Sequence, residues 1–167
     1  MPTLSFTIRP ATDRDIPAVI ELARETWQDV YPGIIPQAQI DFMLAERYAP
    51  ARLHEDIAAA GKWLDLAIAD DRAIGFAFCE IRRGEYKLDR LYIHPEKQGK
   101  GVGSGLIAHA AARAKVLGYA SMILSVNKRN EKAIRAYRKN GFSVREAVRA
   151  EIGQGFVMDD YIMEKKC

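Results

Sequence analysis

Gln98-Gly99-Lys100-Gly101-Val102-Gly103-Ser104-Gly105 puts a glycine at every second position between a short apolar segment, Leu91-Tyr92-Ile93, and an alanine-rich stretch. Glycines let a backbone approach a ligand closely. A helix start adds N–H groups without intrahelical partners and the positive end of a dipole. Such a turn suits an anion, most simply a phosphate. Main-chain N–H groups around Val102, Gly103 and Ser104 would hold it, and Lys100 would add a charge-assisted contact. A second pair with chemical potential is Asn130 and Tyr137, two helical turns apart on one face. Asn130 suits a helix N-cap as well as a polar contact to a ligand. Tyr137 suits a core aromatic as well as a phenolic donor, and periodicity alone favours the core.

Spacing separates the phosphate-binding classes. A P-loop needs Gly-Lys-Ser or Gly-Lys-Thr, and neither occurs: Gly99-Lys100 is followed by Gly101. A dinucleotide fingerprint needs glycine at its sixth position, which is Ser104 counting from Gly99 and Leu106 counting from Gly101. The apolar segment Met122 to Val126 also lacks the acid that would bind a ribose. Nucleoside triphosphate hydrolysis and nicotinamide or flavin chemistry lose their signatures.

The elements around these residues follow from period and punctuation. Ser5 to Arg9 reads as a strand, and Thr12-Asp13-Arg14-Asp15 as the capped start of a helix that ends near Tyr31, before Pro32-Gly33. Short helices are expected over Gln37–Leu44 and Ala49–Ala60. Trp63–Ala69, Ala73–Ile81 and Tyr86–Ile93 read as three consecutive antiparallel strands joined by tight polar turns. A helix over Ser104–Leu117 stops at Gly118, Met122–Val126 is a buried strand, and Asn130 caps a helix running through Lys139. Ser143–Ile152 and Phe156–Glu164 form a terminal pair of strands. This mixed order favours an α/β or α+β sheet protein.

With 167 residues, 49% of them hydrophobic, the chain is expected to form a single domain over 1–167. No apolar run has the length of a membrane-spanning helix, and Met1-Pro2-Thr3-Leu4 lacks the order of a signal peptide. The expectation is a soluble, cytoplasmic protein with no membrane partner. Cys79 and Cys167 make neither a disulfide framework nor a zinc pattern, so no metal is expected. The 25 basic and 22 acidic residues are interspersed, and a net charge of +3 gives no ground for a nucleic-acid partner. Oligomeric state, a homodimer included, is not written in the chain.

Gln98-Gly99-Lys100-Gly101-Val102-Gly103 resembles the Gln/Arg-x-x-Gly-x-Gly/Ala acetyl-coenzyme A motif of the GNAT superfamily of N-acetyltransferases. Leu91-Tyr92-Ile93-His94-Pro95 is similar to that family's strand entering the loop. Asn130-Glu131-Lys132-Ala133-Ile134-Arg135-Ala136-Tyr137 with Gly141-Phe142 is similar to its second cofactor segment. The resemblance covers the second half of the chain. It implies a mixed, mostly antiparallel central sheet of about seven strands flanked by helices, with strand 86–93 beside strand 122–126. It also implies transfer of acetyl from acetyl-CoA to a primary amine of a polyamine, an amino-acid-like molecule or a peptide. A weaker likeness of Phe156-Val157-Met158-Asp159-Asp160-Tyr161 to polyamine-acetylating members points the same way.

Carried residue by residue, the resemblance has Leu91, Tyr92 and Ile93 pair with the pantetheine arm and polarise the thioester carbonyl. The 98–104 turn takes the pyrophosphate, and Asn130 and Ala133 belong to the second cofactor segment. Tyr137 becomes the proton donor to the leaving thiolate, a role a phenol titrating near 10 can fill at neutral pH. The acceptor ammonium must lose a proton before it can attack. Some relatives carry a glutamate where this chain has Ser125, so the candidates for that base are Asp89 and Glu80. Trp27, Tyr31 and Tyr86 are candidates for the acceptor pocket. The missing base leaves one alternative from a different class, a CoA-binding regulatory domain without catalysis.

Overall fold

The computed structural model describes residues 4–167; Met1, Pro2 and Thr3, read above for leader order, lie outside the described residues. Three strands form a meander: β2 (Lys62–Ala69), β3 (Arg72–Arg82) and β4 (Glu85–Ile93). They are joined by two-residue turns, Asp70-Asp71 and Arg83-Gly84, in which both residues have positive φ. This is the turn geometry whose twist matches antiparallel strands. β1 (Thr7–Pro10) pairs with the outer edge of β2, starting two residues later than the alternation predicts. On the other side of β4 the chain crosses over through α4 (Val102–Val116) to the parallel strand β5 (Ser121–Asn127). α5 (Glu131–Lys139) leads to the long hairpin β6 (Ser143–Gly153) and β7 (Phe156–Lys166), and β7 folds back to lie between β5 and β6. The result is one mixed, mostly antiparallel seven-stranded sheet of order β1-β2-β3-β4-β5-β7-β6.

Helices cover both faces. α4 buries Val102, Leu106, Ile107, Ala110 and Ala114 against Ala77, Leu88, Met122, Leu124 and Met163. On the opposite face α1 (Ile16–Val30) and α3 (Pro50–Ala58) pack Val19, Leu22, Ala23 and Leu53 on Leu64, Leu66, Phe76 and Phe78. Each such large apolar side chain removed from water contributes about 1.5–3 kcal/mol, enough to hold the helices to the sheet. α2 (Gln37–Arg47) closes a smaller cluster of Trp27, Ile35, Ile40, Met43 and Met158. Among the described residues, no helix is long and apolar enough to cross a membrane, and no group of three His, Cys, Asp or Glu could hold a metal ion.

Two irregularities shape the centre of the sheet. First, β4 and β5 pair only at Tyr86–Met122 and Lys87–Ile123 and then part, while each keeps its other neighbour. Second, the β3–β4 register slips so that Phe78 faces Arg90 and Cys79 faces Leu88, leaving Asp89 as an extra residue in β4. A bulge of this kind reverses which residues face which side. Before it, Tyr86 and Leu88 face α4; after it, Leu91 and Ile93 do, and Tyr92 turns towards α1.

α4 begins at Val102, two residues earlier than predicted, because Gly101 takes φ +86° and makes the sharp turn itself. Gly103 and Ser104 therefore belong to the first helical turn and not to the loop. α3 is shorter than its prediction, since Ala59 is already extended and Gly61 turns at φ +78°.

Candidate active site

Where β4 and β5 part, a cleft of about 1270 Å³ opens. One wall is Leu91, Tyr92 and Ile93, running into the glycine turn. The other is Ser125, Asn127 and the start of α5, and Trp27, Tyr31 and Asp160 line the cleft as well. From Asp89 onward β4 pairs with β3 alone, so its other backbone edge is not paired with β5. Such an edge can receive an extended ligand as an added strand.

At the glycine turn, Gly105 N–H donates to Gly101 O at 3.0 Å, the first bond of α4. The N–H groups of Val102, Gly103 and Ser104 precede that bond and have no acceptor within the helix, and the cap residue, a glycine, brings no side chain to satisfy them. Val102 contributes main chain only, because its side chain is core. A Cβ on Gly103 would stand 3.7 Å from Ile93 Cγ1, so glycine keeps the space between turn and β4 open. Lys100 is exposed and does not line the cleft, contrary to expectation; Lys97 and Lys132 do. Lys132 Nζ donates to Gln98 Oε1 at 2.7 Å, and Gln98 Nε2 donates to Ile93 O at 3.3 Å. Gln98 thus ties the end of β4 to the start of α5.

On the facing wall Asn130 Oδ1 accepts from Ala133 N–H at 3.3 Å, which makes it the N-cap of α5, and both residues line the cleft. Tyr137 follows on the same face, its ring 5.7 Å from Phe142. Burial pushes its phenol up to about 12. Trp27 and Tyr31 stack at 4.4 Å. Trp27 is 1% exposed and serves as floor, whereas Tyr31 is half-buried. Burial raises the Tyr31 phenol well above its usual value, and Tyr137 and Asp160 line the same cleft.

Two expectations are corrected. Tyr86 is fully buried beneath α4, with its ring beside Trp63 and Tyr119 and its hydroxyl accepting from Arg113 at 3.5 Å. It is outside the cleft lining because it lies where β4 and β5 are still paired, opposite Met122. Glu80 does not line the cleft either; its carboxylate lies 3.6 Å from Arg82. Asp89 does line it, but Arg90 Nε donates to it at 3.0 Å and Lys87 Nζ stands 3.5 Å away. Burial works against its charge, yet Arg90, Lys87 and Arg47 outweigh burial and hold the carboxyl below its usual range. An ionised carboxylate so engaged is a weak proton acceptor.

The sequence offers Asp159 and Asp160 together, as acids suited to a cationic amine, and does not separate the two. On β7 the residues Met158, Asp160 and Ile162 line the cleft while Tyr161 and Met163 pack towards α4. Burial pushes the Asp160 carboxyl up to about 6 against the pull of Arg47, Lys87 and Lys128, and its buried Oδ1 has no hydrogen-bond partner. The available signal was an acid at an inward position of a strand that otherwise alternates apolar residues.

A cleft made by two diverging parallel strands, with a glycine-started helix at one side and a buried phenol and carboxyl at the other, defines a group-transfer enzyme for a phosphate-bearing donor. The chain belongs to the acetyltransferase (GNAT) family, whose sequence model matches residues 16–142. It is 32% identical to the spermidine N(1)-acetyltransferase of Thermoplasma acidophilum over 98% of both chains. A crystal structure of the PaiA N-acetyltransferase from Thermoplasma acidophilum in complex with coenzyme A superposes with a TM-score of 0.85 at 32% identity, covering 98% of this chain and 100% of that one. The ribosomal-protein-S18-alanine N-acetyltransferase from Escherichia coli shares the fold, with a TM-score of 0.72 at 18% identity over 97% and 94% of the two chains.

Proposed function

We propose that this N-acetyltransferase takes its acetyl group from acetyl-CoA and delivers it to a primary amine that is cationic in water, with polyamines as the acceptor class. The observation that carries the reading is the single cleft. Its lining brings the free N–H groups at the start of α4 and the unpaired edge of β4 into one space with Tyr31 and Asp160. The spermidine acetyltransferase that this chain resembles end to end supports the acceptor class.

Acetyl-CoA supplies an acetyl group activated as a thioester, whose carbonyl carbon an uncharged amine can attack. The residues present fit it. The N–H groups of Val102, Gly103 and Ser104 suit its pyrophosphate, with Lys97 and Lys132 as nearby cations. The backbone of Leu91–Ile93 suits the amides of its pantetheine arm. Tyr137 Oη, with its proton held to about pH 12, is protonated throughout the physiological range and is the donor to the departing sulfur. Direct transfer needs no protein nucleophile. Cys79 lies under α4 with its thiol pushed to about 12 by burial, so it is inert.

Thiol release from acetyl-CoA in the presence of spermidine, spermine, a lysine peptide, an amino acid and an aminoglycoside tests the reading. Polyamines should give the highest kcat/KM. Turnover of the peptide alone would overturn the acceptor class, and thiol release with no amine would overturn the activity. Tyr137→Phe should lower turnover by roughly 10²–10⁴-fold with acetyl-CoA affinity kept.

A further inference from the structure

The reaction needs a group that takes a proton from the acceptor ammonium, and neither carboxylate expected from the sequence is suited: Glu80 is outside the cleft and Asp89 is bound by Arg90 and Lys87. We infer that the Asp160 carboxylate accepts this proton, an assignment that rests on the amine-acetyltransferase reading above.

Four observations carry it. Asp160 lies on β7, between β5 and the edge strand β6, paired across to Asn127 at the last residue of β5 and to Val148 of β6, at the level where β5 gives way to the α5 cap. It is on the cleft-facing side of β7, flanked there by Met158 and Ile162. Its Oδ1 is buried without a donor, which disfavours the charged form, while the residue as a whole is only half-buried and lines the cleft. Its neighbour Asp159 is in the opposite state, 2.8 Å from Lys128 Nζ and outside the cleft lining. The charged and titratable groups that face Asp160 are Arg47 from α2, Lys87 from β4, Lys128 beyond β5, Asp159 on its own strand and Tyr31 beyond α1. The three cations favour the ionised form, burial opposes it more strongly, and the carboxyl titrates at about 6. A base poised there is mostly ionised at neutral pH yet still holds a proton well enough to remove one.

One N–H bond of the ammonium breaks and its proton goes to the Asp160 carboxylate, freeing the nitrogen lone pair to form the new N–C bond. The C–S bond breaks as the sulfur takes the proton of Tyr137 Oη. The second proton lost by nitrogen restores Tyr137, and the one on Asp160 leaves through the cleft to water.

The test combines kinetics with a titration that needs no turnover. In the wild type, kcat/KM for spermidine should rise with pH through an ionisation near 6. Asp160→Asn should lower kcat/KM by roughly 10²–10⁴-fold and abolish that limb, with calorimetric acetyl-CoA affinity unchanged. Carboxyl-carbon NMR of aspartate-labelled protein without acetyl-CoA should show one group titrating near 6 that is missing from Asp160→Asn. If the variant keeps wild-type turnover, or its limb persists, the assignment is wrong although the enzyme reading stands. If the wild type acetylates no amine, both fall. Should Asp160→Asn fail to fold, the wild-type profile decides, because absence of a limb between pH 5 and 7 overturns the role.

Discussion

Asp160→Asn should make the protein more stable at neutral pH, and the reason lies in the same burial that suits the carboxyl to its proposed task. Folding moves its pKa from 3.8 to about 6. The folded state therefore holds this proton more tightly than the unfolded chain does. The resulting stabilisation is fully present below about pH 4, is lost as pH rises through 6, and is absent at pH 7.5. At 1.36 kcal/mol per pH unit the difference amounts to ~3 kcal/mol. The group is not sealed from water, and screening reduces the expected effect to about 1–2 kcal/mol. Asparagine keeps the shape and cannot ionise. For a chain of this length, the variant should melt about 2–8 °C above the wild type at pH 7.5, a gain that closes by pH 4. Thermal melts of the two proteins across pH 4–8 measure it. A variant that melts no higher than the wild type at pH 7.5, or a difference that does not change with pH, would refute the claim that burial strains this carboxylate.

Other predictions follow from the packing. Gly103→Val puts a branched side chain into the gap before Ile93 and should weaken acetyl-CoA binding tenfold or more, ~1.4 kcal/mol, by calorimetry. Its melting temperature should stay near that of the wild type. Tyr86→Phe removes a hydroxyl bonded to Arg113 in the core, so it should cost about 0.5–1.5 kcal/mol in urea melts and leave turnover unchanged. Arg90→Met leaves Asp56 and Asp89 buried with one cation fewer and removes a guanidinium lying over Phe78 and Tyr48. Unfolding free energy should fall by about 3–5 kcal/mol, lowering the melting temperature by about 6–20 °C.

What the sequence made legible was local. The glycine turn, the Asn130 cap and the hairpin turns are each written within a few residues, so the cofactor side of the cleft could be read from spacing. The acceptor side depends on register between strands far apart in sequence. An unbroken alternation would put Tyr86, Leu88, Arg90 and Tyr92 on one face, but the extra residue at Asp89 sends the first pair under α4 and the second towards α1. Nothing in the string Leu88-Asp89-Arg90 marks a bulge, and Tyr86, expected with Trp27 and Tyr31 as a pocket aromatic, proves to be core. Asp159 and Asp160 are equivalent letters until pairing with β5 and β6 turns one to Lys128 and the other into the cleft.

Asp89 and Asp160 line one cleft and feel the same two cations, Arg47 and Lys87, yet their carboxyls move in opposite directions. Proximity of the bound cations accounts for this. Asp89 has Arg90 at 3.0 Å and Lys87 at 3.5 Å. Arg90 is in turn held beneath Tyr48 and Phe78 and near Asp56, which Lys62 and Arg52 flank at 3.1 and 3.4 Å. This chain of alternating charges runs from the surface of α3 to the cleft and ends at Asp89. Asp160 Oδ1 has no hydrogen-bond partner, and burial outweighs the pull of Arg47, Lys87 and Lys128 on its carboxyl. The bulge that inserts Asp89 therefore does two things at once. It carries Arg90 to the face where its counter-charges are, and it places Asp89 within 3.5 Å of Lys87. Two acids in one site are thereby kept in different protonation ranges by their surroundings alone.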